Sequence, residues 1–393
     1  MTTQMSTVER LVARFDHHDP GFTPDTAVAV HRGLRERGEP VHSEAHGGFW
    51  VLARYRHVFA ALKDHGRFSS ASGVFFPRAA DQPRFAPLEY DPPEHTAFRS
   101  LMRPALAAAA VRAVEPRIDE LAAEVVRPLV RRGSADLVAE LTTTLPLAVL
   151  ATTIGFSAAA RGAILDLTRT TWASMASGGQ FWPQFAALLD AEIARARGPH
   201  DGSYLAELVR TRVDGAPVPD EQLRVMLVAF AIAGHETTMN TTGHLLWRLA
   251  GDPELAARVL PDARHRLAAV DETLRLDAPV DHGSRVTTED VVVGTTTLPR
   301  GSRVLLAVGA ANRDPDEFTA PEEFRLDRGA ARHLSLGQGI HYCLGAQLGR
   351  RQITAVLAEL AAAPPMRLDG PVERHYANGR HLNLAALPVR FGR

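Results

Sequence analysis

The stretch from Arg332 to Gly349 constrains this chain most, because it places the one cysteine among 393 residues inside a glycine-rich loop. Glycines stand six and four residues before Cys343 and two after it, and an apolar run typical of a helix begins at Leu344. Glycine allows the backbone to turn sharply or to approach a flat ligand closely. The N-terminus of a helix stabilises a thiolate through free N–H groups and the helix dipole. The pattern therefore indicates a loop that presents one sulfur, a good ligand for a soft metal ion, at the start of a helix.

A simpler interpretation of Cys343 is available from the residue alone. Free cysteine is among the most often buried residue types and behaves as a small apolar side chain. On this interpretation Cys343 fills part of a core and carries no chemistry.

The pattern G-x-G-x-x-x-C-x-G around Cys343 resembles the haem-binding loop of the cytochrome P-450 family. The resemblance implies that Cys343 is the proximal thiolate ligand of haem b and that Gly337 and Gly345 shape the loop. A thiolate ligand pushes electron density onto iron and favours O–O cleavage. His341 is then expected to donate to a haem propionate. The family usually has phenylalanine where this chain has Leu336, which excludes water but lacks a ring edge.

A second motif interrupts the long apolar helix predicted over 220–251. The string AGHETT at 233–238 places a carboxylate and two hydroxyls in a segment that otherwise reads as buried. Glycine costs about 1 kcal/mol relative to alanine inside a helix, and a threonine hydroxyl can bond back to a carbonyl and bend the helix. The residues alone allow a harmless polar face or a kink that serves packing.

AGHETT also resembles the oxygen-binding groove in the I helix of the same family. The resemblance implies that Ala233 and Gly234 leave room for dioxygen over the iron. Thr237 is expected to hold the activated dioxygen through its hydroxyl. Glu236 is expected to relay protons from solvent, which is an ordinary acid role for a carboxyl group. His235 is expected to be structural.

Further charged residues match family positions. His95 and Arg99 stand four residues apart on a predicted helix and share one face. Taken alone, the pair would be interpreted as surface residues. The string DPPEHTAFR, however, resembles the family's C helix, in which both residues bind haem propionates. Arg285 matches another propionate-binding arginine. The string ETLR at 272–275 resembles the buried E-x-x-R pair of the K helix, and its third partner is expected to be His333 or Arg328. That trio is expected to brace the cysteine loop.

The sequence indicates the substrate pocket only loosely. The segment 66–89 has no clear period and is rich in aromatic residues, which suits either a functional loop or a satellite core cluster. The segment 172–183 breaks the helical pattern and matches the family's mobile roof. Asp281 could pair with a cationic or hydroxylated substrate or point to solvent. The candidate pocket residues are Phe75, Phe76, Phe85, Trp172, Ala229, Ile232, Val280, Asp281 and Gly283.

The landmarks from Asp91 to Gly349 follow the order of the family, so the resemblance implies one domain over 1–393. The expected fold is mainly α: the cytochrome P-450 fold, with a large helical part, a smaller β-rich region and haem between the I and L helices. The pattern also predicts helices over 26–38, 55–64, 117–132, 137–153 and 158–171, and a hairpin over 40–53.

Composition excludes several classes of protein. A net charge of −1 argues against nucleic-acid binding, and one cysteine excludes an internal disulfide framework. We see no signal peptide and no run of about 18 apolar residues that could span a membrane. We expect a soluble, cytoplasmic monomer that binds neither nucleic acid nor membrane.

The resemblance implies a monooxygenase that activates O2 to hydroxylate a small-molecule substrate, in bacterial natural-product biosynthesis. Flavin and nicotinamide motifs are absent from the sequence, so electrons would come from a ferredoxin and its reductase. The candidate docking residues are Arg103, Arg112, Arg332, Arg350 and Arg351. Two alternatives stay open: oxidative coupling of aromatic rings on the same fold, and a haem-thiolate sensor or binding protein without turnover.

Overall fold

The structure, a computed structural model, describes residues 5–78, 81–177, 180–329 and 332–392, with the backbone alone for 169–170 and 172–177. Within these residues the α-helices are α1 (Thr7–Ala13), α2 (Pro24–Glu36), α3 (Tyr55–Lys63), α4 (Glu94–Leu106), α5 (Ala108–Arg132), α6 (Thr144–Ile154), α7 (Ala158–Ser177), α8 (Trp182–Ala196), α9 (Tyr204–Leu208), α10 (Asp220–Ala233), α11 (Glu236–Gly251), α12 (Pro253–Val259), α13 (Ala263–Leu276), α14 (Val308–Ala311) and α15 (Ala346–Ala361). None of the described helices is both long and apolar enough to cross a membrane.

The strands are short and stand between the helices. In chain order they are β1 (Val41–Ser43), β2 (Phe49–Leu52), β3 (Phe68–Ser69), β4 (Ser134–Asp136), β5 (Arg212–Val213), β6 (Ala216–Pro217), β7 (His282–Thr287), β8 (Val291–Val293), β9 (Thr296–Leu298), β10 (Arg303–Ala307), β11 (Met366–Leu368), β12 (Arg374–Ala377), β13 (His381–Leu384) and β14 (Pro388–Phe391).

Contacts divide the chain into two compact units. The first comprises Met1–Pro77, Asp271–Cys343 and Arg374–Asn383, and the second comprises Arg78–Val270, Leu344–Glu373 and Leu384–Arg393. The single domain over 1–393 stays a prediction.

The first unit is built on a mixed sheet with the strand order β1-β2-β10-β7-β3. β10 runs parallel to β2 and antiparallel to β7, with Leu305 opposite Val51 and Ser284. Successive residues of a strand point to opposite faces. Val304 therefore joins the core that includes α3, while Leu305 joins the core that includes α1 and α2. Because both faces of β10 are covered by core residues, its sequence is a continuous apolar run.

The second unit is mainly helical. α5 packs along α15, where Arg127 bonds to Glu359 and Arg351 to Asp119. α10 packs on α8, and a small sheet has the order β11-β14-β4.

Most of the predicted elements are present, with differences at their ends. The hairpin of β1 and β2 and the helices α2 and α3 confirm the predictions for residues 26–64. α5 begins at Ala108, well before the predicted start at Arg117. The helix predicted over 137–153 is divided into a π-helical turn, Val138–Thr142, and α6. α7 continues to Ser177. The prediction that the helix breaks at Trp172 was therefore wrong for the described residues up to 177.

Candidate active site

The loop that carries Cys343 has the form that its glycines predict. Gly337 and Gly339 adopt φ of +69° and +64°, a region that side chains with a Cβ atom disfavour. A Cβ atom at Gly339 would lie 2.9 Å from the carbonyl oxygen of Leu62. The loop therefore requires glycine at this position for both its backbone angle and its close packing.

Backbone hydrogen bonds hold the cysteine in the loop. The N–H group of Cys343 donates to the carbonyl of Leu336 at 2.8 Å, and Leu336 itself is half-buried. The side chain of Cys343 is exposed, so its role is not that of a buried core residue. Along the chain, Gly345 is the N-cap of α15, which begins three residues after the cysteine.

Two basic side chains of the first unit were predicted to contact propionates. His341 is half-buried, and its Nε2 lies 3.1 Å from the hydroxyl of Ser70. Arg285 lies on β7, is 5% exposed and donates from Nη1 to the carbonyl of Ser284 at 2.8 Å. The contact with Ser70 was not predicted, because this serine lies in a loop without a recognisable pattern.

A buried ion-pair trio precedes the cysteine loop. Arg275 donates to Glu272 through Nε at 2.8 Å and through Nη2 at 2.7 Å. The third partner is Arg328, whose Nε donates to Oε1 of Glu272 at 2.8 Å. His333, the other candidate, instead lies with its Nε2 3.5 Å from the carboxylate of Asp271. Arg275 also donates to the carbonyls of Asn312, Pro321 and Glu323, so the trio fixes the segment before the loop.

In the second unit, the predicted polar interruption breaks a helix in two. α10 ends at Ala233 and α11 begins at Glu236, with a turn at 234–235. The hydroxyl of Thr237 donates to the carbonyl of Ala233 at 3.0 Å, the back-bond that threonine can make inside a helix. The residues alone allowed a harmless polar face or a kink, and the interruption between α10 and α11 favours the kink.

The groups at this break differ in their exposure. Ala233 is exposed although the preceding residues of α10, from Val225 to Ile232, are buried. Glu236 is 4% exposed, which is unusual for a carboxyl group. His235 is 2% exposed, and its Nε2 lies 3.2 Å from the carbonyl of Thr143, in keeping with a structural role. An exposed alanine beside a buried carboxyl group and a hydroxyl is an arrangement that can meet a small ligand and move a proton to it.

The first two turns of α4 carry the remaining propionate candidates. His95 is 2% exposed, and its backbone N–H donates to the carbonyl of Asp91 at 2.9 Å. Arg99 is half-buried one turn later on the same helix. Both side chains are more buried than a surface pair would be.

Asp281 belongs to a buried polar cluster in the first unit. Its carboxylate lies 3.3 Å from Nε2 of His31 and 3.4 Å from Nδ1 of His282. Burial would raise the pKa of Asp281, but the charge of His31 and hydrogen bonds to both histidines hold that pKa well below its ordinary value. Its 2% exposure rules out the alternative that the side chain points to solvent. Contact with a substrate stays a prediction.

The other pocket candidates are distributed over both units. In the first unit, Phe75 is buried under the guanidinium of Arg380, and Phe76 packs against Phe49. These contacts favour a core role for both rings over a pocket role. Val280 forms an isolated bridge with His381, and Gly283 lies on β7. In the second unit, Phe85, Ala229 and Ile232 are buried. The side chain of Trp172 lies outside the described residues.

The donor chemistry of the first unit fits a haem. The exposed sulfur of Cys343 is a soft ligand for iron. Arg285 and His341 carry the groups that pair with carboxylates, and guanidinium is suited to bidentate contact. The positive-φ glycines leave the loop without side chains that would keep a flat ring away.

Comparison with known proteins gives consistent results. Residues 266–361 match the family model described as cytochrome P-450. The chain is 32% identical over 353 residues to the cyclomarin C epoxidase CymV of Salinispora arenicola, covering 86% of this chain and 89% of that protein. It is 32% identical over 361 residues to the cytochrome P-450 monooxygenase PikC of Streptomyces venezuelae, covering 88% and 85%.

Solved structures show the same fold. HmtN, described as a post-tailoring hydroxylase involved in himastatin biosynthesis, matches with a TM-score of 0.80 and 28% identity over 99% of this chain and 100% of that chain. A Mycobacterium marinum cytochrome P-450 in complex with pseudoionone matches with a TM-score of 0.86 and 26% identity, covering 94% and 95%. The predicted fold class is confirmed.

Proposed function

Because this chain belongs to the cytochrome P-450 family and is therefore a haem b monooxygenase, we propose that it hydroxylates a small organic molecule in bacterial natural-product biosynthesis. The similar proteins CymV and HmtN support this proposal, since CymV is named as an epoxidase of cyclomarin C and HmtN as a post-tailoring hydroxylase in himastatin biosynthesis.

We assign the iron ligand to Cys343, the single cysteine in the sequence. Its backbone bond to Leu336 and the fixed glycine turns hold the sulfur in one place. We assign the propionate contacts to His95, Arg99, Arg285 and His341, which offer cationic or hydrogen-bonding groups for carboxylates. When bound, the haem supplies the oxidising chemistry, while the protein supplies orientation and proton supply.

The observation that carries the proposal of turnover is the helix break with Glu236 and Thr237. The hydroxyl of Thr237 donates its own proton to the carbonyl of Ala233, so the lone pairs of its oxygen remain able to accept a hydrogen bond. Thr237 can therefore hold a proton at a fixed point beside the exposed Ala233. Glu236, buried next to it, can carry protons toward that point. A binding protein without turnover has no use for such a pair.

Replacing Thr237 tests this assignment. Thr237→Ala should lower the yield of product per electron consumed, while consumption of electrons continues. Thr241→Ala is the matched control, because its hydroxyl makes the same kind of back-bond, to Thr237 at 2.7 Å, one turn along α11. Equal coupling in the wild-type protein and in Thr237→Ala would reject the role of Thr237.

The mass of the product separates hydroxylation from oxidative coupling. A panel of natural products that includes cyclomarin C would first be titrated against the purified protein, and a change of spin state identifies molecules that bind beside the iron. A product heavier by one oxygen atom supports hydroxylation, whereas loss of hydrogens supports coupling. Binding without any product under reducing conditions would favour the sensor alternative.

A ferredoxin with its reductase is the proposed electron source. Of the candidate docking residues, Arg351 bonds to Asp119 at 2.6 Å and Arg332 to Glu317 at 3.4 Å. The acidic neighbours of Arg351 and Arg332 reduce the positive charge that a ferredoxin would meet at those residues. Arg112 is exposed, and we expect it to contribute more to the attraction than Arg351 or Arg332. Arg112→Glu should weaken the salt dependence of reduction by the ferredoxin; an unchanged salt dependence would reject this docking residue.

A further inference from the structure

A group of histidines in the first unit has no part in the proposed reaction. His17 and His18 follow α1, and His46 lies between β1 and β2. The ring centroids of His17 and His18 are 4.4 Å apart, and those of His17 and His46 are 5.6 Å apart. Asp16 adds a carboxylate, whose Oδ1 lies 2.8 Å from Nε2 of His46. One ligand atom from each of Asp16, His17 and His46 lies within 4.8 Å of the other two.

His17 has one ring nitrogen engaged and one available. Its side chain is buried, with 1% exposure, and its Nε2 lies 2.7 Å from the carbonyl of Phe76. A carbonyl only accepts hydrogen bonds, so Nε2 carries the hydrogen and Nδ1 carries the lone pair. Nδ1 is buried and has no hydrogen-bond partner among the described residues. Leaving a buried acceptor unsatisfied is costly, so this atom calls for an explanation.

The bond to Phe76 is the one that metal-binding histidines make. A histidine that ligates a metal usually donates its other N–H group to a carbonyl or carboxylate, which fixes the tautomer and the ring orientation. The carboxylate of Asp16 is also oriented, because its Oδ1 accepts a hydrogen bond at 2.9 Å from the backbone of His18. Two of the three groups are therefore held in place by bonds outside the set.

His46 is held in an unusual backbone conformation. It lies in the 3-10 turn Ala45–Gly47 between β1 and β2 and has φ of +52°, a left-handed value that few residues other than glycine adopt. This conformation belongs to the turn that places the imidazole beside Asp16, and the side chain is 27% exposed. A partly exposed ring can shift to meet an ion, and an ion can reach it from solvent.

We propose that Asp16, His17 and His46 form a binding site for a divalent transition-metal ion, with zinc as the best match. Two imidazoles and one carboxylate are a known zinc ligand set, and water or His18 would complete a tetrahedron. Ligands about 2.0–2.1 Å from zinc stand about 3.4 Å apart. Asp16 and His46, now 2.8 Å apart, would therefore separate slightly, while ligand atoms up to 4.8 Å apart would approach each other. The ion would tie the segment after α1 to the β1–β2 hairpin.

Equilibrium dialysis of the untagged holoenzyme against zinc, after removal of metal by a chelator, tests the site. The wild-type protein should bind one zinc ion per chain at this site, and His46→Asn should bind it at least about 10-fold more weakly. Asparagine suits this position because it tolerates the left-handed backbone. Asp16→Ala is the second variant and should also lose at least about 10-fold in affinity.

His200→Ala is the matched control. His200 and Glu207 form another exposed histidine–carboxylate pair, 2.9 Å apart, and belong to no group of three candidate ligands within the described residues. This variant should bind zinc as the wild-type protein does. The proposal is overturned if His46→Asn and Asp16→Ala both keep the wild-type affinity, or if His200→Ala loses as much as they do. Zinc should also raise the unfolding temperature of the wild-type protein but not that of His46→Asn; an equal rise in both would overturn the proposed tie.

Discussion

Replacing Glu272 by glutamine should destabilise the protein by about 3–5 kcal/mol, the usual cost of removing one partner from a buried ion pair. Glu272 and Arg275 expose 4% and 2% of their side chains, so water cannot replace the lost carboxylate. Oε1 of Glu272 accepts hydrogen bonds from Arg275, from Arg328 and from the backbone of Arg325. The neutral amide would leave two guanidinium groups without their shared anion.

The size of the effect should follow the burial of each partner. Arg328 is 14% exposed. When Arg328 is removed, Glu272 still has its ion pair with Arg275. Arg328→Ala should therefore cost about 1.5–3 kcal/mol, the range of a hydrogen bond to a charged group. Arg325→Ala is the matched control from the same segment. Its side chain pairs with Asp327, which is 71% exposed, and an exposed pair contributes little to stability because solvent screens it.

Urea unfolding of the holoenzyme, followed by circular dichroism, measures these differences as changes in the unfolding free energy. The expected order of destabilisation is Glu272→Gln, then Arg328→Ala, then Arg325→Ala. A Glu272→Gln variant no less stable than Arg325→Ala would refute the argument that this trio braces the cysteine loop.

Two further predictions concern the loop and the response to pH. Gly339→Ala should cost more than the about 1–2 kcal/mol expected for a left-handed backbone alone, because its Cβ atom would lie 2.9 Å from a carbonyl. Gly301→Ala is the matched control, because Gly301 has φ of +80° but no atom within 4 Å of the added Cβ atom. Gly339→Ala should lose more stability and more haem than Gly301→Ala, and equal losses would contradict this reasoning. Burial, with the nearby charges of Arg380 and His282, lowers the pKa of His381 well below 6.5. The unfolded state therefore binds more protons below about pH 6.5, so stability is full above that pH and falls as the pH drops. His381→Gln should reduce this slope by up to about 1.4 kcal/mol per pH unit between about pH 6.5 and 5.5, and an unchanged slope would refute the contribution of His381.

Local patterns predicted the parts of the fold in which neighbouring residues decide the structure. The glycine turns of the cysteine loop and the β1–β2 hairpin depend on short-range sterics, and both are present. The string at 233–238 allowed either a kink or a harmless polar face, and the back-bond of Thr237 accompanies a kink. The start of α5 was missed because Pro116 lies inside it. Proline disfavours a helix interior, but the packing of α5 along α15 outweighs this local preference.

Contacts between distant residues could not be predicted. His333 and Arg328 both suited the third place beside Glu272, and only the fold shows that Arg328 fills it. The carboxylate of Asp281 lies beside His31, which stands 250 residues earlier in the chain. No periodicity or motif joins such positions, so the buried cluster around Asp281 became visible only in the structure.

The spectrum of the reduced protein with carbon monoxide tests the assignment of Cys343 most directly. The wild-type protein, loaded with haem and reduced, should show the red-shifted Soret band of a thiolate-bound carbon monoxide complex. Cys343→His should retain a haem but lose that band, because imidazole is not a thiolate. A wild-type spectrum without the shifted band, or a Cys343→His spectrum that keeps it, would contradict the assignment of Cys343 as the iron ligand.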